Sequence, residues 1–250
     1  MKRSERHHLK ENELAISLRR ARAVAEQHRR EITFATIGIL VILAASVGYL
    51  VWRQRTNGLA EERLADALTI AEAPVVPVAP ASTTGATPAP TPGSYPSERA
   101  KLEAALPKLL SAAEAYPSTT AGVAARYYAA SALAALGRSQ DAVVRYEEVV
   151  QRAGDGIYGQ MARLGKADAL GLSGHYDQAV TIYRELSARK DLGLPIDGVL
   201  MRLGRTYAAA GKSAEARQTF NRIVEEFPDS PYSAEARQQL QALPEASTST

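Results

Sequence analysis

The chain has 250 residues, a net charge of +3, a pI near 9.1 and no cysteine. Without cysteine there is no disulfide framework and no thiolate chemistry, and the length allows one moderate domain with appendages. The basic balance would suit a nucleic-acid partner, but it is localised. Residues 1–31 hold nine Lys/Arg against five Asp/Glu, and the rest of the chain holds 21 against 22. A nucleic-acid-binding domain needs a basic face, so no nucleic-acid partner is expected.

In chain order, the basic tail 1–31 comes first. Leu14, Leu18, Ala21 and Ala25 stand at helical spacing in it, which predicts a short basic amphipathic helix lying on acidic lipid headgroups. Next comes "ITFATIGILVILAASVGYLVW", 32–52, with no charge and eleven Ile, Leu, Val or Phe. As a helix it would be roughly 31 Å long, close to the roughly 30 Å of a hydrocarbon core. Tyr49 and Trp52 sit at its end, where an interface favours amphipathic rings. A cleaved signal peptide would have a shorter leader and a shorter apolar run, so a retained transmembrane helix is expected. Nine basic residues precede the span and only Arg53, Arg55 and Arg63 follow closely. The positive-inside rule then puts the tail in the cytoplasm and residues 53–250 outside it. In a bacterium this means an inner-membrane protein with a periplasmic C-terminal domain.

Residues 53–73 include a further helix, "LAEERLADALTIAEA" (59–73). The segment 74–96 has seven Pro among 23 residues and no charge, so it reads as a PPII-prone disordered loop. From 97 to 243 the pattern is helical throughout, and 244–250 is a flexible polar tail.

Within 97–243 the chain repeats itself every 37 residues. Gly137, Gly174 and Gly211 align, as do Ala142, Ala179 and Ala216, then Tyr146, Tyr183 and Phe220, then Val149, Leu186 and Ile223. The register extends upstream to Ala105, Leu109 and Ala112. Each column has a reason. The Gly ends one helix in a left-handed cap. The Ala lets a second, antiparallel helix approach closely, and the aromatic fills the space between that pair and the next. One pair cannot bury its own apolar face, whereas stacked pairs share a continuous core. An all-α solenoid of helix pairs follows. The half-unit at 98–116 lacks an adjacent first helix, and 59–73 is expected to supply it across the proline-rich insertion. The helix within 230–243 is expected to cap the stack.

The segment "LGRTYAAAGKSAEARQTFNRIVEEFP", 203–228, resembles a tetratricopeptide repeat (TPR). It carries Leu203–Gly204, Tyr207, Gly211, Ala216, Phe220 and Pro228 where that family has its Leu-Gly, Tyr, Gly, Ala, Phe and Pro. The two preceding units keep the second-helix signature but have Ala130 and Ala167 for the small residue and Leu133 and Leu170 for the Tyr. Tail, span and exported repeats together resemble the bacterial ancillary Sec translocon subunit family. The repeats alone are similar to periplasmic cell-division coordinators.

No catalytic constellation stands out, and neither an enzyme nor a cofactor is expected. His7, His8 and His28 read as incidental members of a basic tail and not as a metal site. His175 reads as a surface residue of a turn. The TPR resemblance implies that first helices line a concave groove that holds peptides. Carried over by alignment, Tyr127, Ser131, Leu164, Asp168, Met201 and Arg205 are the groove candidates. The family's Lys/Asn clamp for acidic C-termini is missing from these places, so carboxyl-tail capture is not expected. The expected function is a membrane-anchored periplasmic scaffold for proteins or extended polypeptides, ancillary to the Sec translocon or to periplasmic chaperones. The alternative is a structural coordinator of envelope or cell-division machinery.

Overall fold

The structure, a computed structural model, describes residues 28–77, 92–189 and 193–244. The helix expected around Leu14–Ala25, His7 and His8, most of the proline-rich segment and the tail beyond Pro244 lie outside the described residues. Among the described residues there are nine α-helices and no named strand: α1 (Arg29–Ala71), α2 (Glu98–Ala115), α3 (Thr120–Ala135), α4 (Ser139–Ala153), α5 (Ile157–Leu172), α6 (Tyr176–Ala188), α7 (Ile196–Ala209), α8 (Ser213–Glu226) and α9 (Ser233–Ala242). The chain divides into two units, Met1–Arg55 and Thr56–Thr250.

The segment 32–52 and all but the last two residues of 59–73 belong to one 43-residue helix, α1. Only Asn57 and Gly58 between them disfavour a helix, and one Gly costs a helix about 1 kcal/mol. In the first unit α1 leaves its large apolar side chains bare: Phe34 is 74 % exposed, Ile42 66 % and Trp52 62 %. By length and composition, α1 is the one helix among the described residues able to cross a membrane.

In the second unit α1 changes character. Ala60 and Ala67 are fully buried, and Ala67 shares a core cluster with Ala105, Leu106 and Leu109 of α2. The proline-rich insertion is closed at its base by a parallel bridge between Val75 and Tyr95. There the Val76 N–H donates to the Tyr95 carbonyl at 2.9 Å, and the Tyr95 N–H donates to the Pro74 carbonyl at 3.0 Å.

From α2 onward each helix packs on the next. All three turn glycines adopt left-handed backbone, with φ of 78°, 80° and 73° at Gly137, Gly174 and Gly211. The residue after each closes a Schellman motif: Arg138, His175 and Lys212 donate their N–H groups to the carbonyls of Leu133, Leu170 and Tyr207, each at 2.9 Å. The second-helix columns are the core. Ala142, Ala179 and Ala216 are 0 % exposed, and Tyr146, Tyr183, Phe220, Val149, Leu186 and Ile223 are all buried. Burying a large apolar side chain contributes roughly 1.5–3 kcal/mol, so these columns hold the stack.

The aromatic column explains the small residues of the first helices. A Cβ on Gly204 would stand 2.5 Å from the Phe220 ring, and one on Gly165 would stand 2.5 Å from the Tyr146 ring. Gly204 lies in the same repeat as its aromatic, whereas Gly165 lies in the repeat after Tyr146. The Tyr146 ring is therefore wedged between two repeats, which is how one helix pair locks onto the next.

First helices of neighbouring repeats meet directly, α3 with α5 and α5 with α7. On the other side, α6 and α8 leave between them an opening of about 950 Å³, floored by Leu203 and Tyr207. The stack is thus closed on the first-helix side and fanned on the second-helix side.

Candidate functional site

All six candidate residues lie on the first helices: Tyr127 and Ser131 on α3, Leu164 and Asp168 on α5, Met201 and Arg205 on α7. They form two columns at the 37-residue interval. The polar column Ser131, Asp168, Arg205 stands 15 residues before the aromatic column, and this offset fixes its chemistry. The Ser131 hydroxyl and the buried Tyr146 hydroxyl are hydrogen-bonded at 3.0 Å. The Tyr183 hydroxyl donates to Asp168 Oδ1 at 2.5 Å. Two of the three polar residues therefore satisfy a phenol brought into the core by its ring. In the third repeat the aromatic is Phe220, which needs no partner. Arg205 turns outward and pairs through Nε and Nη2 with Glu235 of α9.

The column Tyr127, Leu164, Met201 is uneven. Tyr127 is half-buried and gathers three rings, with centroids of Tyr128, Tyr146 and Tyr158 at 5.5, 5.9 and 5.8 Å. Such offset and edge-on pairs are the favoured aromatic geometries. Leu164 is half-buried against the core of the later repeats. Met201 is 1 % exposed and belongs to that core. Met201 packs in the core and also borders the cavity of this face: α7 is covered on both flanks, by α6 and by α8, so its apolar stripe is wider than that of an outermost helix.

A cavity of about 410 Å³ opens at the C-terminal end of this face, bounded by α5, α6, α7 and Tyr232 of the turn before α9. Leu172, Tyr176 and Tyr232 wall it, and Asp168, Arg202 and Arg205 bring charge to it. Arg202 Nε lies 3.2 Å from Asp168 Oδ1. The turn before α9 is pinned beside the cavity, since the Ser230 hydroxyl donates to Asp197 Oδ2 at 2.6 Å.

Burial governs the electrostatics. It pushes the Tyr146 hydroxyl up to about 12, and raises Tyr127 for the same reason. Burial also raises the Asp168 carboxyl above its ordinary value, more than the Tyr183 hydroxyl and the Arg202 guanidinium lower it. Tyr183 is raised by burial first and then by the charge of Asp168. Burial keeps the Tyr146 and Tyr183 hydroxyls protonated, so neither is an activated nucleophile, and the Asp168 carboxylate accepts a hydrogen bond from the Tyr183 hydroxyl. Among the described residues no group of three His, Cys, Asp or Glu could hold a metal.

The alignment missed Arg202, Leu172 and Glu235. It also missed Arg126, a buried guanidinium on α3. Arg126 donates to the Ala113 carbonyl of α2 at 3.0 Å and pairs with Glu148 of α4 at 3.0 Å. Burial lowers its pKa. The offset of 15 was a legible signal for the hydroxyl pairs; nothing in the sequence pairs Arg126 with Glu148.

A tetratricopeptide-repeat family profile matches residues 199–230, which are α7, α8 and the turn that follows. No curated protein sequence matches the chain significantly. Among solved structures, the nearly identical TPR-like repeats of a Podosopora anserina protein assigned as a kinesin light chain superpose with a TM-score of 0.51 at 18 % identity, over 57 % of this chain and 77 % of that one. A single-substitution variant of those repeats gives the same score and identity, over 76 % of its length. At that identity the likeness speaks for the fold. The described residues of the second unit thus fold as a TPR-like solenoid of helix pairs, and its last full repeat carries the tetratricopeptide sequence signature itself.

Proposed function

We propose that this protein is a membrane-anchored scaffold whose first-helix face binds extended polypeptide segments. The observation that carries this reading is the cavity bounded by α5, α6, α7 and the turn before α9, apolar-walled and edged with ion pairs, on the side where neighbouring repeats close together. A pocket of a few hundred Å³ with a few convergent polar groups is the common form of a binding site. The chemistry of the face is recognition, because its titratable groups are paired with each other. The exposed apolar surface of α1 supports the anchor, and the charge bias around it supports a cytoplasmic tail with the repeats in the periplasm. Tethering raises the effective concentration of the face near chains emerging from an export site, so modest affinity suffices. The role proposed is therefore ancillary to the Sec translocon or to periplasmic chaperones.

The test is site-specific photo-crosslinking in cells, using the full chain because α1 contributes Ala60 and Ala67 to the core. A crosslinker at Tyr127 or Leu172 is expected to capture exported polypeptides, and one at Val144 is not. Capture of an envelope or division protein at Val144, with none at the first-helix positions, would replace this reading by that of a coordinator. Leu172→Gln with Arg205→Ala, both on exposed side chains, is the variant pair that weakens capture without opening the core. Met201→Ala is unsuitable, since truncating a buried Met costs about 2–5 kcal/mol.

A further inference from the structure

We propose that the cavity bounded by α5, α6, α7 and the turn before α9 is an anchor pocket for one uncharged aromatic side chain of an extended partner segment. This rests on the reading that the first-helix face binds polypeptide, and it names what that face selects.

Charge complementarity decides the class. Each cation at the cavity already has its anion: Arg202 lies 3.2 Å from Asp168, and Arg205 pairs with Glu235. Arg202 also donates from Nη1 to the Gly198 carbonyl at 3.3 Å. A charged side chain entering the cavity would lose hydration and meet no unmatched opposite charge. A purely aliphatic one would fill the Leu172 side and leave the guanidinium faces and phenol rings without a favoured contact. An aromatic ring answers both. It offers a π-face to a guanidinium and an edge or face to Tyr176 and Tyr232.

Size agrees. A dry cavity of about 150 Å³ is enough for a benzene ring, so about 410 Å³ admits a phenol or indole with the backbone that carries it. Leu172 stands at the rim 74 % exposed, an apolar contact that no element of the chain covers among the described residues. One wall depends on a glycine: a Cβ on Gly198 would stand 3.3 Å from the Tyr232 ring, so the ring leans on bare helix there.

Gly171 supplies the test. It lines the cavity, and a Cβ placed on it has nothing nearer than Thr206 Oγ1 at 4.0 Å. Gly171→Leu should therefore plug the cavity from within, leave both ion pairs in place and favour helix α5. The full chain is reconstituted in lipid nanodiscs and titrated with fluorescent ten-residue Gly/Ser/Thr peptides carrying one guest: Trp, Phe, Leu, Lys or Glu. The expected ranking puts Trp and Phe about tenfold tighter than Leu, with Lys and Glu weakest. Gly171→Leu should erase that ranking while leaving the melting temperature unchanged or raised. Leu172→Gln, on an exposed side chain, should weaken the aromatic guests about threefold without affecting the fold. Equal binding of Leu and Trp, a preference for a charged guest, an unchanged ranking in both variants, or no binding of any guest would overturn the pocket. Capture at Tyr127 in cells together with an unranked guest series would sink the pocket alone. Failure of both would sink the binding face with it.

Discussion

The repeats built on Tyr146 and Tyr183 and the repeat built on Phe220 solve one packing problem in two ways. All three bury an aromatic ring of the second helix in the stack. In the first two the ring carries a hydroxyl, and a polar residue 15 positions earlier meets it, Ser131 at 3.0 Å and Asp168 at 2.5 Å. In the third the ring carries none, and Arg205 is released to reach Glu235 on the next helix. A polar residue on a groove-facing helix is thus not free for ligand by virtue of its position. What it does is set by what the neighbouring core residue leaves unsatisfied, because an unpaired buried hydroxyl costs about 1–3 kcal/mol. Where the core asks for nothing, the polar residue is left to pair outside its own repeat.

The strongest way to break this comparison is to test whether the repeats are alike where they look alike. Ala142→Arg, Ala179→Arg and Ala216→Arg should each destabilise by about 2–4 kcal/mol, through overpacking and an unpaired buried charge. Chemical denaturation of the full chain, followed by far-UV CD, reads this directly. If one of the three is tolerated while the others are not, the columns do not share one environment.

A smaller effect sharpens the difference between the repeats. Ser131→Ala should cost about 1–3 kcal/mol by leaving the Tyr146 hydroxyl alone in the core. Adding Tyr146→Phe should restore most of that loss, since the pair is then replaced by apolar groups of similar shape. In the third repeat Arg205→Ala should cost less than about 1 kcal/mol, because its ion pair with Glu235 is solvent-exposed. A strictly additive Ser131/Tyr146 pair would mean that the hydroxyl contact is incidental.

The second helices were legible because burial on one face writes a period into the sequence. Ala142, Tyr146 and Val149 recur at 37 residues with only conservative changes, and every one of these positions is buried. The first helices were harder to read. Packing between two neighbours broadens their apolar stripe, so Met201 looks like a contact residue and is also core. The charged pairs Arg126 with Glu148 and Arg202 with Asp168 leave no period either, since their spacings are unrelated. The length of α1 escaped the sequence for a different reason. A change of environment from exposed apolar residues to the buried Ala60 and Ala67 looks like a boundary between two helices, yet the backbone needs no break to cross it.

The smallest expected effect concerns the Asp168–Tyr183 contact and turns on a sign. Two descriptions compete. As an ion pair with Arg202, Asp168 would have a lowered pKa, and its contribution to stability would be lost as pH falls. As a carboxylate taken partly out of water, it has a raised pKa, and this is the direction found, with burial outweighing Tyr183 and Arg202. A group raised in the folded state contributes stability that is fully present below its unfolded value and lost as pH rises through its folded value. The window therefore opens near the ordinary aspartate pKa of about 4 and closes above the raised value. Asp168→Asn keeps an acceptor oxygen for both the Tyr183 hydroxyl and Arg202 Nε, and removes only the titration. Its stability relative to the unmodified chain should rise from pH 3.5 to pH 7, by about 1 kcal/mol or less because the carboxylate is half-exposed. Groups shared by both proteins cancel in that difference. A variant that instead loses ground over the same range would show that the Arg202 pair dominates, and Asp168 would then belong with Arg205, among the residues held by charge and not by the hydroxyl of their own repeat.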